Sequence, residues 1–355
     1  MRILHAPINI NGAAWQVSQV ERAKGYYSRV MVFDEYFGRL HDYNLHFLKN
    51  NKIKNFFNAL CFFIKSLKKY DVFHFYYGKT LVPLPFYSGK RIVPILLDLI
   101  ILKILRKKIF FTFHGSDIRR KKLFLGKYKN NISRKFDFFD YPEDLFKLIR
   151  LKFITIFTNK IFITTPDLKF FIPSAEITPQ RISLNDWKIS SFNRLSKIKS
   201  LKSRVVIFHA SNNRQAKGTR YIIKTINRLE GEGAHICFEL VENIQHNQIK
   251  KFFNIADICI DQMLSGWYGM FSVEAMAVNK PVICYLNEDL FPFVPWSEDI
   301  PILNADTDNL YDKLKWLIEN PKERERIGKM GRTFVEKWHN PKIIAEKIIE
   351  LYKVL

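Results

Sequence analysis

The chain has 355 residues, of which 47% are hydrophobic and 26% charged, so it is long enough for two domains that each bury a core. It has no low-complexity tract and no internal repeat, which excludes disordered and repeat architectures. The net charge of +23 is concentrated in residues 1–200, which carry 36 Lys and Arg against 14 Asp and Glu, whereas residues 201–355 carry 21 against 20. This asymmetry indicates an anionic membrane surface or polymer as partner of the first half; solvated basic faces are the alternative.

The first half alternates predicted strands and helices. A strand over residues 2–6 leads into a turn of small residues at Gly12 and Ala13, which opens a helix. The elements predicted next are a helix at 15–24, a strand at 30–33, a helix at 56–68, a strand at 71–76, a helix at 92–106, a strand at 108–113 and a strand within 154–165. Residues 118–150 have no clean period, which indicates a partly helical insertion or a loop. Strict alternation of this kind predicts a parallel sheet with helices on both faces.

The second half restarts the alternation after an irregular stretch at residues 173–202. The predicted elements are strands at 204–209, 236–241, 258–260 and 281–285, helices at 219–229, 247–255 and 273–278, and helices over the last 50 residues, broken near Pro321 and Pro341. The predicted fold class is α/β, with two doubly wound Rossmann-like domains, 1–190 and 203–340, facing each other across a cleft. Residues 341–355 are expected to form a helix that packs back on the first domain.

Two further patterns indicate the cellular compartment of the protein. The most apolar stretch, residues 92–105, has 14 residues and contains Asp98 and Lys103, so it is too short to span a membrane. The four cysteines lie in apolar runs without metal-type spacing, which is typical of a reducing compartment. With no signal-peptide pattern at the N-terminus, we expect a cytoplasmic protein that contains no metal site.

Three loops that follow predicted strands contain residues suited to ligand binding or catalysis. The loop 211–219 holds two cations, Arg214 and Lys217, beside Gly218 and opens a helix, which suits a pyrophosphate, although a basic surface loop is the simpler alternative. It lacks the spacing of a P-loop.

The second loop, 265–277, places Gly266, Gly269 and Ser272 before a helix, so that backbone amides can face an anion. Glu274 in the first turn suits paired hydroxyls such as a ribose diol, or only the helix dipole. The third loop, 113–119, carries His114, which would face the cleft, although a lone His at a strand end is more often structural.

These motifs resemble the family 4 retaining glycosyltransferases, which have the GT-B fold. The resemblance rests on IFHASNNRQAKGTRYI, on ADICIDQ at 256–262 and on GWYGMFSVEAMAVNKPVICY at 266–285, and more weakly on MRILHAP, DVFHFYYG and FTFHGSD in the first half. It implies that the donor diphosphate is held by the cations Arg214 and Lys217 and by the segment Gly269, Met270, Phe271 and Ser272. It further implies that Glu274 binds the donor ribose, that His114 lies at the reaction centre, and that the loop of Gly12 and Ala13 approaches the donor phosphate or the acceptor.

The chain departs from the family pattern at the sugar end of the site. Gly266 stands where the family has a glutamate, eight positions before Glu274, and Asn279 replaces a small glycine. Arg214 lies only three residues before Lys217, closer than is usual. These departures put the recognition of the donor sugar in doubt; Asp261 and Gln262 are the candidates for the missing polar group.

The predicted reaction is metal- and cofactor-independent transfer of a sugar, of the hexosyl kind, from a nucleoside diphosphate sugar to an acceptor hydroxyl with retention. The resemblance and the basic first half together favour synthesis of cell-surface polysaccharide or lipid-linked glycan by a peripheral membrane enzyme. The supporting basic and aromatic clusters are Lys103, Arg106, Lys107 and Lys108, then Arg119, Arg120, Lys121 and Lys122, with Phe124, Phe136, Phe138 and Phe139. The alternatives are a non-catalytic polyanion- or nucleic-acid-binding protein on the same scaffold, and a GT-B epimerase or phosphorylase.

Overall fold

The computed structural model describes residues 1–35, 39–48, 51–83, 96–119, 141–188, 204–242, 244 and 248–355. The predicted basic and aromatic cluster at 120–139 lies outside these residues. The chain forms two compact units. One holds the described residues of 1–119, 141–181 and 341–355, and the other holds those of 182–340.

The elements follow one another in the alternating order of doubly wound proteins. The strands are β1 (Arg2–Ala6), β2 (Tyr27–Val32), β3 (Tyr43–Asn44), β4 (Val72–Tyr76), β5 (Lys108–Phe113), β6 (Lys160–Ile163), β7 (Glu176–Ile177), β8 (Val205–Ala210), β9 (Ile236–Val241), β10 (Ile258–Ile260), β11 (Val282–Cys284) and β12 (Leu303–Asn304). The helices are α1 (Ala13–Ala23), α2 (Lys52–Lys69), α3 (Leu97–Ile104), α4 (Tyr141–Phe157), α5 (Arg214–Lys217), α6 (Thr219–Gly231), α7 (Lys250–Ile255), α8 (Met270–Ala277), α9 (Leu310–Glu319), α10 (Pro321–Trp338) and α11 (Pro341–Val354).

The first unit is built on a seven-stranded parallel sheet with the order β3-β2-β1-β4-β5-β6-β7. The order reverses between β1 and β4, and ligands of open α/β sheets bind beyond the carboxyl ends of the strands at such a point. The central strands β4 and β5 are buried along almost their whole length, as expected of strands covered on both faces. The last helix, α11, belongs to this unit: Ile344 and Ile348 pack against Ile3 and Val72 in one core cluster.

The second unit has a five-stranded parallel sheet with the order β12-β11-β10-β8-β9, which reverses between β8 and β10. Its core joins Ile207 and Ile258 of these two strands to Ile222 on α6 and Leu314 on α9. The carboxyl ends of β8 and β10 therefore stand side by side at the position where a ligand is expected.

The predicted alternation and the observed elements agree closely along most of the chain. The differences lie at element ends and in short strands. The strand predicted within 154–165, on the run KIFITT, begins at Lys160 as that run does, after helix α4 ends at Phe157, whereas α8 begins three residues before the predicted start. The two-residue strands β3, β7 and β12 carry too few residues to give a period of their own. In the described part of the chain, no helix has the length and apolarity needed to cross a membrane.

Candidate functional site

The candidate site lies at the carboxyl ends of β8 and β10 in the second unit. Strand β8 ends at Ala210 and leads into the loop that carries Arg214 and Lys217, whereas β10 ends at Ile260 and is followed by Asp261. Because the two strands are hydrogen-bonded neighbours, their exit loops meet at one edge of the sheet. The reversal of strand order thus brings a cationic loop beside an acidic residue 44 positions further along the chain.

The centre of this edge is an ion pair between Lys217 and Asp261. Nζ of Lys217 donates to Oδ1 of Asp261 at 2.7 Å and lies 5.0 Å from the ring centroid of Phe271. The Asp261 side chain is fully buried, whereas 23% of the Lys217 side chain is exposed. The ammonium group is therefore held in one place by a buried anion while it keeps access to solvent, which is the arrangement expected of a cation that binds a ligand phosphate.

Asp261 also holds the start of helix α8. Its Oδ2 accepts from the Gly269 amide at 2.9 Å and from the Ser272 hydroxyl at 2.6 Å. Burial opposes the ionisation of Asp261, but Lys217 and these two donors prevail and lower the pKa of the carboxyl below its usual range. One carboxylate thereby ties the Lys217 loop to the N-terminus of α8, whose first amides have no partner within the helix.

One of the amides that the sequence assigns to the diphosphate is thus already engaged. The Gly269 amide bonds to Asp261, as does the Ser272 hydroxyl, which leaves the Met270 and Phe271 amides among the anion donors of this helix end. Glu274 is buried on the same helix. Asp261 is not a candidate for sugar recognition, because both of its oxygens are used within the protein.

Arg214 lies on the same loop but points to a different partner. Its guanidinium makes two hydrogen bonds to Glu242, at 2.8 and 2.6 Å, and just over half of its side chain is exposed. The short helix α5 is capped by Asn213, whose side chain accepts from the Ala216 amide at 3.0 Å. A phosphate would therefore share Arg214 with Glu242, a residue that sequence reasoning missed although it directly follows strand β9.

His209 holds the start of the same loop in place through two hydrogen bonds. Its Nδ1 donates to the Ile260 carbonyl at 2.8 Å, and its Nε2 accepts from the Thr219 hydroxyl at 2.9 Å. Burial, reinforced by the charge of Lys217, lowers the pKa of His209 to about 4, so the ring is neutral near pH 7. The end of β8, the end of β10 and the start of α6 are joined by this one side chain, another role that the sequence did not reveal.

Gly266 explains one departure from the family pattern. Its backbone has a φ of +72°, in the left-handed region that favours glycine. A glutamate here would be strained, so the loop cannot present the family's carboxylate in this conformation.

The remaining predicted site residues lie in the first unit. His114 follows β5, and Asp117 holds the turn behind it by accepting from the amides of His114 at 3.0 Å and of Gly115 at 2.6 Å. Burial, with a contribution from the nearby positive charge of Arg181, lowers the pKa of His114 to about 3. Its ring lies 6.2 Å from that of Tyr76, centroid to centroid.

The loop of Gly12 and Ala13 is a helix start closed by its own chain. Gly12 has a φ of +71° and stands at the N-cap of α1, and the side chain of Asn9 accepts from the Ala14 amide at 3.1 Å. Asn9 therefore takes one amide that a phosphate would otherwise use. Across the described ranges, no group of three or more His, Cys, Asp or Glu side chains is placed to hold a metal ion.

These features define a class: a chain of two doubly wound α/β units in which a lysine anchored by a buried carboxylate stands beside a helix N-terminus at a strand-order reversal. Residues 220–350 match the model of a family described as glycosyl transferase-like. Among curated proteins, no sequence matches the chain.

Solved structures resemble the chain over its whole length. A sucrose-phosphate synthase from Thermosynechococcus elongatus aligns with a TM-score of 0.65 at 15% identity, covering 99% of this chain and 98% of that one. The HepE protein of Anabaena, in complex with UDP-glucose, aligns with a TM-score of 0.63 at 12% identity over 100% of both chains. A UDP-GlcNAc 2-epimerase from Neisseria meningitidis, bound to UDP-GlcNAc, aligns at 0.55 and 15% identity over 99% of both. The predicted GT-B fold is thereby confirmed.

Proposed function

We propose that this chain is a glycosyltransferase that moves a sugar from a nucleoside diphosphate sugar to an acceptor hydroxyl. The observation that carries the proposal is Lys217, held by buried Asp261 next to the start of α8. The family match over 220–350 supports it, and so do the structural relatives whose names refer to a synthase or to bound UDP-glucose.

The chemistry follows from the charges at this edge. Cleavage of the bond between sugar and diphosphate leaves negative charge on the departing diphosphate, and preorganised donors lower the barrier by stabilising it. Lys217 supplies the charge, the amides of Met270 and Phe271 supply the helix end, and Arg214 adds a second cation shared with Glu242. Glu274 binds the ribose hydroxyls. With this set of donors, the diphosphate needs no metal ion.

His114 has a different part in the proposed reaction. Its low pKa keeps the ring neutral, so it acts as a hydrogen-bonding group for a sugar hydroxyl rather than as a cation. We propose that transfer occurs with retention of the anomeric configuration, which NMR of the product's anomeric proton would establish.

The test of the donor site is calorimetric titration with UDP, GDP and ADP and with their sugars. One nucleotide should bind wild type, and Lys217→Ala should weaken it by about tenfold or more, because charge-assisted hydrogen bonds to phosphate contribute about 1.5–3 kcal/mol. Glu274→Ala should weaken nucleotides but not inorganic pyrophosphate, which has no ribose.

The matched control is Lys224→Ala, which removes an exposed lysine of helix α6 and should leave the affinity unchanged. Equal binding by wild type and Lys217→Ala would contradict the assigned site. If no nucleotide binds wild type, the chain is better described by the alternative of a non-catalytic polyanion-binding protein.

An epimerase is the second candidate, because one solved relative is a UDP-GlcNAc 2-epimerase. It requires acid and base groups at the sugar, and Asp261 cannot serve since both of its oxygens are bonded within the site. Incubation of the bound nucleotide sugar without acceptor separates the two: an epimerase yields a new nucleotide sugar, and a transferase does not.

We propose a lipid-linked or polysaccharide acceptor for cell-envelope synthesis at the cytoplasmic face of a membrane. The support is an apolar surface formed by helices α3 and α4, which contact each other in the first unit. Its exposed side chains are Leu97, Ile101, Ile104, Leu105, Leu145, Phe146, Ile149 and Ile156. We call this set the α3–α4 face.

Of the four basic residues that the sequence places at the end of α3, two are exposed next to this face. Lys103 and Arg106 are exposed beside it. Lys107 and Lys108 instead donate to the carbonyls of Tyr70 and Tyr352, each at 2.7 Å. Exposed apolar side chains next to cations favour shallow insertion at an anionic lipid surface.

A further inference from the structure

A buried arginine in the first unit has no role in the donor site. Arg181 lies four residues beyond the end of β7 and is 2% exposed. All three guanidinium nitrogens are buried and have no hydrogen-bond partner among the described residues. An isolated buried cation is costly, so such a group is ordinarily paired in the state that functions.

Four polar aromatic side chains surround Arg181. Its charge acts on His74 and His114 and on the hydroxyls of Tyr76 and Tyr352, and we call these five residues the Arg181 cluster. They come from β4, from the exit of β5, from α11 and from the segment after β7.

The hydroxyls of the cluster are engaged with other groups. The Tyr352 hydroxyl bonds to Nδ1 of His74, and the Tyr76 hydroxyl lies 2.9 Å from Nδ1 of His5. Nε2 of His74 lies 2.7 Å from the Thr112 hydroxyl.

One carboxylate, Glu21, acts on the same two tyrosines as Arg181. Its Oε2 is 2.8 Å from Nε2 of His5, and its Oε1 is buried without a hydrogen-bond partner among the described residues. Nε2 of His114 is likewise buried without a hydrogen-bond partner in that part of the chain. The cluster therefore combines a cation that has no direct hydrogen-bond partner with a histidine nitrogen that has none.

We propose that the Arg181 cluster is a binding site for a small oxyanion, a phosphate or carboxylate group, held by the guanidinium fork of Arg181 and by Nε2 of His114. The guanidinium presents five N–H donors in a plane, a geometry that matches two oxygens of either anion. The site stands near the carboxyl ends of β4 and β5, where open sheets bind ligands. It lies in the first unit, whereas the nucleotide site lies in the second, and it shares His114 with the proposed transfer reaction.

The test compares wild type with Arg181→Met, which keeps most of the side-chain volume and removes the charge. Each is titrated with millimolar inorganic phosphate, a phosphate monoester and acetate at constant ionic strength in chloride, with Tm and heat of binding as readouts. Wild type should bind one of these anions saturably. Arg181→Met should bind it about tenfold or more weakly.

Without added anion, we expect Arg181→Met to be more stable than wild type. Because it removes an unpaired buried charge, Arg181→Met should melt about 2 °C or more above wild type. Lys68→Met, which changes an exposed lysine of the same unit, is the control for nonspecific anion effects and should behave as wild type in both measurements.

The outcomes separate the sources of the anion. Tighter binding of the monoester than of inorganic phosphate indicates a group carried by a substrate, and the reverse indicates free phosphate; preference for acetate indicates a carboxylate ligand. If Arg181→Met melts below wild type and no anion shifts wild type, Arg181 is paired within the protein, for example with Glu21 through water, and the proposal fails.

Discussion

Gly218 shows at the scale of one residue how the site depends on backbone geometry. Its φ of +73° ends helix α5 and starts α6, and it places Lys217 so that the Lys217 carbonyl accepts from the Met263 amide at 2.9 Å. A Cβ at this position would stand 3.0 Å from Cγ of Leu264 and 3.1 Å from Cβ of Met263. Glycine is required here both by conformation and by close packing.

We expect Gly218→Ala to destabilise the chain and weaken nucleotide binding together. The left-handed conformation costs an alanine about 1–2 kcal/mol, and the contact with Met263 and Leu264 adds about 1 kcal/mol or more. Gly233→Ala is the matched control, because Gly233 also has a positive φ, +86°, but has nothing within 4 Å of its Cβ position.

Denaturant unfolding and calorimetric titration measure the two effects. Gly233→Ala should lose only the conformational share of stability and keep full nucleotide affinity. Equal losses in the two variants would show that the packing against Met263 and Leu264 does not matter.

At the scale of elements, helices α3 and α4 contact each other and both expose large apolar side chains. Ile104 is 74% exposed and Ile156 is 70% exposed; α2 and α11 also expose apolar side chains, among them Phe57 and Val354. Scattered exposed apolar residues are ordinary, but a set shared by two touching helices is typical of an interaction surface.

We expect the chain to bind vesicles of phosphatidylcholine with about 30% phosphatidylglycerol, and less so as salt rises. Ile104→Ser with Ile156→Ser should reduce binding several-fold by removing buried apolar area. Lys103→Gln with Arg106→Gln should reduce it only on anionic vesicles. Met330→Ser, at an exposed apolar residue of the second unit, is the control. Sedimentation with vesicles measures all four, and unchanged binding by both double variants would exclude the α3–α4 face.

At the scale of the whole molecule, both units bury titratable groups near the edges that carry function. Burial lowers the pKa of His209 to about 4 and of His114 to about 3, so the fold favours neutral rings. Burial also raises the pKa of Asp98 to about 6, so the fold favours its protonated form. The two kinds of group make opposite contributions to the dependence of stability on pH.

We expect His209→Asn to flatten the loss of stability on acidification. As pH falls below 6.5, the histidine is protonated in the unfolded state, whereas His209 in the folded state stays neutral until about pH 4. This difference lowers the free energy of unfolding by about 3 kcal/mol. Asn keeps a donor for the Ile260 carbonyl but does not titrate.

Asp98→Asn should steepen that loss instead. Folded Asp98 takes up a proton at about pH 6, whereas the unfolded state does so only near pH 3.8. Its contribution to the free energy of unfolding is therefore full below pH 3.8 and is lost as pH rises through about 6. Asp98→Asn removes this gain in stability on acidification. Calorimetry between pH 4 and 8 measures the slopes; identical slopes in the two variants would refute both assignments.

Much of the fold could be predicted from sequence, because each element carries its own signal. Strand β1 and the strands around Ile258 and Val282 are apolar runs bounded by turns, and α6 has a strong amphipathic period. The Lys217–Gly218 loop was identified for the same reason, since its cations and glycine are adjacent in the chain. The location of Gly269 directly before a helix was equally local, whereas Ser272 lies inside α8.

The partners of these residues could not be predicted. Sequence reasoning treated the backbone amides from Gly269 to Ser272 as ligand donors, and it considered Asp261 for the sugar. The structure instead bonds the Gly269 amide and the Ser272 hydroxyl to Asp261. Glu242, His209 and Arg181 carried no signal, because a charged residue after a strand looks the same whether it meets a ligand, a partner or nothing.

The sequence by itself determined the alternation of strands and helices, the two parallel sheets and the loops that leave them, because these depend on residues close together in the chain. Only the tertiary structure decided which charges meet. The order of strands in each sheet sets which exit loops are neighbours. That order pairs Lys217 with Asp261 across 44 residues, and the packing of the first unit leaves Arg181 unpaired among the described residues, buried beside His114.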